Sequence, residues 1–150
     1  MPRIVREAEL TWQGSVARGS GTIGAASSGA FTELPFSLPS RVARTQGKTS
    51  PEELLAGAHG ACFGMSLANE LGQVGVEVER LELRCTITMD EVVGQGHEIV
   101  HSAIAAAVTG TGIDDAVLEA ARVAADEGCP FSRMLKAAGA GVEITATRGG

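Results

Sequence analysis

The sequence is poor in aromatic and basic residues. Among 150 residues it has no tyrosine, one tryptophan and four phenylalanines, and 12 lysines and arginines stand against 18 acidic residues. The resulting formal charge of −6 does not favour nucleic-acid binding, which needs clustered positive charge. No apolar run reaches the roughly 20 residues of a membrane-spanning helix. Several charged residues also lie among the first ten, where a secretion signal would have an apolar segment. We therefore expect a soluble cytoplasmic protein.

Cysteine is scarce as well, with only Cys62, Cys85 and Cys129 in the chain. An odd number of cysteines is a poor basis for a structural disulfide framework. Cytoplasmic thiols stay reduced unless they take part in redox chemistry. The cysteines and the three histidines lack the spacing of a structural zinc site. The open question is therefore which of the three thiols take part in chemistry.

The order of predicted elements indicates an α+β fold. Hydrophobic residues make up 44% of the chain, which is enough for a core, and the length fits a single domain over 1–150. Residues 51–71 predict a long helix that is apolar almost all round, as is typical of a helix in a core or between subunits. We expect this helix and a second one, over 113–127, to pack on one side of antiparallel sheets. The predicted strands are 4–12, 15–25, 81–89, 98–108 and 142–147, with a short one at 34–38.

Local sequence gives each cysteine a different interpretation. Cys85 is in phase with the apolar residues of the strand 81–89, which predicts an inert core thiol. Periodicity alone also predicts a core position for Cys62. Cys129 precedes Pro130, which favours the first helical position, so it is expected at a helix N-cap. A thiolate would be stabilised there, although cysteine is also simply tolerated as a cap.

Two other residues on the long helix attract attention. His59 lies on its apolar part and is interpreted as a core or interface histidine with one hydrogen bond rather than a catalytic group. Glu52 precedes Cys62 by ten residues, or about 15 Å along a straight helix. The two side chains cannot touch, so any communication between them needs an intervening group such as an arginine from another segment.

Three segments together resemble the osmotically inducible protein C / organic hydroperoxide resistance (OsmC/Ohr) family, and the OsmC branch more than the Ohr branch. The resemblance spans nearly the whole chain. The segments are residues 49–67 (TSPEELLAGAHGACFGMSL), residues 128–132 (GCPFS) followed by Leu135 and Lys136, and residues 12–14 (WQG) with residues 18–22 (RGSGT).

This resemblance implies a thiol peroxidase that reduces organic hydroperoxides to alcohols, with hydrogen peroxide as a second candidate substrate. The Leu, Phe and Met side chains around the motif favour the organic peroxides. The implied fold is an intertwined homodimer with long central helices packed between sheets and active sites at the dimer interface. Carried over by position, Cys62 is the peroxidatic cysteine and Cys129 the resolving cysteine. Glu52 and an arginine would orient the peroxide and hold the thiolate. Arg44 matches the family arginine best, followed by Arg18 and then Arg41.

The resemblance implies no bound cofactor, because an external dithiol reductant such as a lipoylated protein reopens the disulfide. The expected partners are a second copy of the chain, the hydroperoxide and this reductant, with no nucleic acid and no membrane. Two other functions stay open, namely a dimer that binds lipids or other apolar small molecules, and a dithiol redox sensor. The preferred peroxide, the reductant and the inducing stress cannot be deduced from the sequence.

Overall fold

A computed structural model describes residues 2–149 of the chain. These residues form two compact units that divide after Pro51, and each unit is described here by itself. The single domain over 1–150 stays a prediction. None of the helices formed by the described residues is long and apolar enough to cross a membrane.

The first unit contains a three-stranded antiparallel sheet and one short helix. Its first two strands form the predicted hairpin, which turns at Gly14 with a φ of 91°. A Cβ on Gly21 would lie 2.7 Å from a ring carbon of Phe36, so the absence of a side chain at Gly21 lets that ring lie over the middle strand. The helix was not predicted. The elements are β1 (Glu9–Gln13), β2 (Ser20–Gly24), β3 (Leu34–Phe36) and α1 (Leu38–Val42).

The second unit carries the long predicted helix, a second sheet and two shorter helices. Asp114 caps the second helix of this unit by accepting a hydrogen bond from the Val117 N–H at 2.8 Å. This bond satisfies one of the free amides at the helix N-terminus. The predicted acidic start of that helix is therefore confirmed. The elements are α2 (Pro51–Gln73), β4 (Glu77–Val92), β5 (Gly96–Thr111), α3 (Asp115–Gly128), α4 (Pro130–Ala137) and β6 (Gly141–Arg148).

The second sheet has the order β4-β5-β6 and is mixed. The α+β class is confirmed, with one correction to the expectation of purely antiparallel sheets. β4 and β5 are antiparallel, but β5 and β6 are parallel. The reason is that α3 and α4 carry the chain back to the start of β5, so that β6 runs in the same direction as β5. Such a crossover is what a parallel pair requires.

The core of the second unit lies between α2, α3 and the sheet. Phe63, Leu67 and Leu71 of α2 are fully buried and belong to one cluster with Ile104 of β5 and Leu118 of α3. Burying side chains of this size stabilises the fold by about 1.5–3 kcal/mol each. The cluster fixes which face of α2 points inward, and thereby places the remaining α2 residues that matter for chemistry.

Candidate active site

The structure brings together two of the three cysteines. The Cys62 thiol lies near enough to the Cys129 thiol for the two to influence each other's ionisation, although Cys129 follows Cys62 by 67 residues in the sequence. Both cysteines are free thiols. Cys62 is partly exposed on α2, whereas Cys129 is 0% exposed.

Cys129 lies at a corner between two helices. Gly128 ends α3, Pro130 occupies the first turn of α4, and Cys129 is the N-cap of α4 as predicted. Its carbonyl accepts a hydrogen bond from the Arg133 N–H at 3.1 Å. Its side chain makes no capping hydrogen bond. The thiol of Cys129 therefore interacts with that of Cys62 and not with the backbone of its own helix.

The surroundings of Cys62 within the second unit favour the thiol over the thiolate. Burial raises the pKa of Cys62, and the hydrogen bond and the charge of Cys129 raise it further. A hydrogen bond from the backbone N–H of Phe131, in the first turn of α4, lowers the pKa of Cys62 by a smaller amount. A nucleophilic thiolate at neutral pH consequently needs an additional positive charge.

The other predicted site residues precede both cysteines in the sequence. Glu52 is half-buried in the first turn of α2. Because α2 is one unbroken helix, Glu52 and Cys62 are separated by about 15 Å along its axis. Arg44, Arg41 and Arg18 are exposed. All three arginines belong to the first unit, whereas both cysteines belong to the second. Which arginine serves the site stays a prediction.

His59 is fully buried and bonded through both ring nitrogens. Its Nδ1 lies 2.7 Å from Ser102 Oγ and its Nε2 lies 2.8 Å from Ser132 Oγ. Burial lowers the pKa of His59. The charge of Asp126 raises this pKa and the charge of Lys136 lowers it, each by less than burial does. A neutral imidazole has one donor and one acceptor, and a hydroxyl serves as either. The prediction of a buried histidine is confirmed, but it makes two hydrogen bonds rather than one.

Ser102 and Ser132 are the residues that sequence reasoning missed. Both are 0% exposed, which is unusual for serine. The signal for Ser102 was a polar residue on the buried face of an otherwise apolar strand. The signal for Ser132 was its place three residues after Cys129 in the second motif.

Cys85 lies on β4 and packs against the hydrophobic core, as predicted, but it is only partly buried. Its Sγ is 3.6 Å from Ser102 Oγ and 4.0 Å from His59 Nδ1. A Cβ on Gly60 would lie 3.3 Å from Cβ of Cys85, so α2 approaches β4 closely at this point. Cys85 also lines a cavity of about 450 Å³ together with Leu83 of β4 and residues of the first half of α2.

Comparison with known proteins gives a consistent result. The family described as OsmC-like protein matches residues 44–145. The peroxiredoxin OsmC of Escherichia coli is 33% identical over 134 residues, which cover 89% of this chain and 92% of that protein.

Solved structures agree with the fold. The organic hydroperoxide resistance protein OhrB of Bacillus subtilis has a TM-score of 0.69 at 22% identity, covering 94% of this chain and 98% of that one. An OsmC-like protein of unknown function from Vibrio cholerae has a TM-score of 0.76 at 14% identity, covering 97% and 100% of the two chains. The matched family, the curated relative and the shared fold agree, and this chain belongs to the OsmC-like family.

Proposed function

We propose that this protein is a cysteine-based peroxidase that reduces organic hydroperoxides to alcohols. The names of its relatives support a peroxidase-family role. The observation that carries the proposal is the contact between the Cys62 and Cys129 thiols. Two reduced cysteines that are distant in sequence and near each other in the fold are suited to a cycle of oxidation and disulfide formation.

In the first step, Cys62 acts as the peroxidatic cysteine. Its thiolate attacks one oxygen of the hydroperoxide, the O–O bond breaks, and the leaving alkoxide takes up a proton to become an alcohol. The sulfur has then lost two electrons and is a sulfenic acid. Cys62 suits this role because it is the partly exposed member of the pair, and so the member that an incoming peroxide reaches.

In the second step, Cys129 acts as the resolving cysteine. Its sulfur attacks the sulfur of the Cys62 sulfenic acid, an S–S bond forms and water leaves. The contact between the two thiols supports a short path to this bond. An external dithiol, such as a lipoylated protein, would then reduce the disulfide by thiol–disulfide exchange. The cycle needs no bound cofactor.

The thiolate of Cys62 needs a cation, and an arginine of the first unit is our choice. Burial disfavours the charged form of Cys62, and a guanidinium keeps its charge at any physiological pH. We propose Arg44 for this role, ahead of Arg18 and Arg41. Glu52 would hold the guanidinium through paired hydrogen bonds, which also explains how a residue about 15 Å away along α2 takes part in the site.

The apolar surroundings of the pair support organic hydroperoxides over hydrogen peroxide. Cys62 and Phe131 pack against the hydrophobic core of the second unit. An alkyl group gains free energy when apolar surface of this kind removes it from water, whereas hydrogen peroxide has no such group. We also propose a cytoplasmic location, where a dithiol reductant keeps the pair reduced between cycles.

A homodimer is the assembly that we propose. The outer face of α2 carries Gly57, Ala61 and Met65, all exposed, with Met65 70% exposed. Small and apolar residues on a helix face favour close packing against another helix. The same stripe on a second copy of the chain is the partner with matching chemistry.

The test is steady-state peroxide consumption with dithiothreitol as reductant. Cys62→Ser is expected to abolish turnover of tert-butyl hydroperoxide. When no thiol is added, Cys129→Ser is expected to consume one equivalent of the hydroperoxide and to stop at the Cys62 sulfenic acid. Cys85→Ser is the matched control and should keep turnover within about twofold, because the proposed cycle does not use this thiol and serine is close to cysteine in size. Full turnover in Cys62→Ser would contradict the proposal.

A further inference from the structure

A second contact joins the two cysteine-bearing helices. His59 precedes Cys62 by three residues on α2, and Ser132 follows Cys129 by three residues on α4. The hydrogen bond between His59 and Ser132, at 2.8 Å, therefore joins α2 to α4 close to the cysteine pair. His59 and Cys62 share one side of α2 and are about 4.5 Å apart along its axis, whereas Cys129 is the N-cap of α4 and Ser132 lies in the first turn of that helix.

We propose that His59 is a positioning residue for disulfide formation, which acts by holding α4 against α2 through Ser132 so that Cys129 stays in contact with Cys62. The inference rests on the proposed function, because it concerns the step in which these two cysteines join. His59 touches neither sulfur of the pair in this role. It acts through the placement of α4.

The burial of the His59–Ser132 hydrogen bond makes it an effective brace between α2 and α4. His59 and Ser132 are both 0% exposed, and a hydrogen bond shielded from water is stronger than one at the surface. The other nitrogen of the imidazole bonds Ser102 on β5 at 2.7 Å. The ring is consequently fixed to the sheet on one side and holds α4 on the other.

Apart from the Phe131 N–H, which bonds to Cys62 itself, the ion pair of α4 does not join this helix to α2. Lys136 of α4 donates a hydrogen bond to Asp126 at 2.6 Å, but Asp126 lies on α3, so this ion pair closes the α3–α4 corner and does not join α4 to α2. The Cys129 side chain makes no capping bond that would fix its direction. The orientation of the Cys129 sulfur towards Cys62 thus depends on where α4 lies.

The consequence is measurable as the equilibrium constant for forming the Cys62–Cys129 disulfide. Forming the bond within one chain depends on how often the two sulfurs are correctly oriented, so a looser α4 lowers their effective concentration. A suitable reaction uses glutathione disulfide, which takes two electrons from the protein dithiol. The protein disulfide and two molecules of reduced glutathione result, with atoms and electrons balanced.

The experiment compares Ser132→Ala with Ser102→Ala in glutathione redox buffers. Each variant removes one hydrogen bond from the same buried imidazole, but only Ser132 links it to α4. We expect Ser132→Ala to lower the equilibrium constant for the Cys62–Cys129 disulfide about tenfold, equivalent to about 1.4 kcal/mol. Ser102→Ala should change it by less than about threefold. Equal effects in the two variants, or no effect of Ser132→Ala, would overturn the proposal.

A second pair keeps the test decisive if Ser132→Ala does not fold. Ser132→Thr and Ser132→Val have nearly the same shape, but only threonine keeps a hydroxyl for His59. Threonine is expected to retain the wild-type equilibrium within about threefold and valine to lose about tenfold. Equal values for the two would also overturn the proposal. This equilibrium is measured without peroxide. A lack of peroxidase activity would therefore refute the proposed function, whereas the role of His59 in disulfide formation would still be decided by the glutathione experiment.

Discussion

Replacing His59 by leucine tests the buried hydrogen-bond network in a way that gives a definite magnitude. Leucine fills much of the same space but has no hydrogen-bonding group, so the buried hydroxyls of Ser102 and Ser132 lose the imidazole. An unsatisfied buried polar group costs about 1–3 kcal/mol. Two such groups give an expected loss of about 2–6 kcal/mol in the free energy of unfolding, a large part of the stability of a typical domain.

The triple variant His59→Leu/Ser102→Ala/Ser132→Ala separates this cause from a simple change of volume. Replacing both partners of a buried hydrogen bond by apolar groups is nearly neutral, so the triple variant should be about 1–3 kcal/mol more stable than His59→Leu alone. The assay is urea unfolding at one fixed protomer concentration.

Exposed His97 supplies the matched control, and His97→Leu should stay within about 0.5 kcal/mol of wild type. A cost below about 1 kcal/mol for His59→Leu would refute the reasoning. A triple variant no more stable than the single variant would refute it equally.

Three further predictions concern redox state, assembly and pH. Closing the 67-residue loop between Cys62 and Cys129 should raise the free energy of unfolding by about 4 kcal/mol in the chain-entropy description, and equal urea midpoints for the oxidised and reduced proteins would contradict it. Met65→Lys should shift the sedimenting species from dimer to monomer, whereas Val123→Lys, at another exposed apolar position, should not; a dimeric Met65→Lys protein would argue against the proposed interface. Because burial holds the pKa of His59 below 6.5, the unfolded chain takes up a proton there that the folded chain does not, so urea midpoints should fall as the pH is lowered through about 6.5. His59→Asn should flatten this fall, and an unchanged slope would contradict the assignment.

Most of the fold was accessible from the sequence because its signals are local. The N-terminal hairpin, α2, the β4–β5 pair and α3 all follow from periodicity, caps and turns within one segment. The direction of β6 was not accessible, since alternation along a strand predicts a buried face but not the partner beside it. The short helix α1 was missed although Ser37 and Pro39 mark its start. Pro39 is one of its five residues and Pro35 closely precedes them, a composition more typical of a loop.

The candidate site divides in the same way. The chemistry of Cys62 and Cys129 was indicated by two motifs, and the fold brings the two thiols together. The partners of His59 lie 43 and 73 residues away in the chain, and no local pattern records a contact over such a distance. The arginine is harder to choose from the sequence. The motif suggests Arg44, but Arg41 nearby carries the same positive charge and would meet the need of the Cys62 thiolate equally well.

The most direct measurement is a peptide map after one equivalent of tert-butyl hydroperoxide is added to the fully reduced protein. The expected product is a single disulfide that joins Cys62 to Cys129, with Cys85 still alkylatable and one equivalent of alcohol released. A protein that leaves the hydroperoxide unconsumed, or one whose first oxidised thiol is Cys85, would contradict a peroxidase cycle at this pair of cysteines.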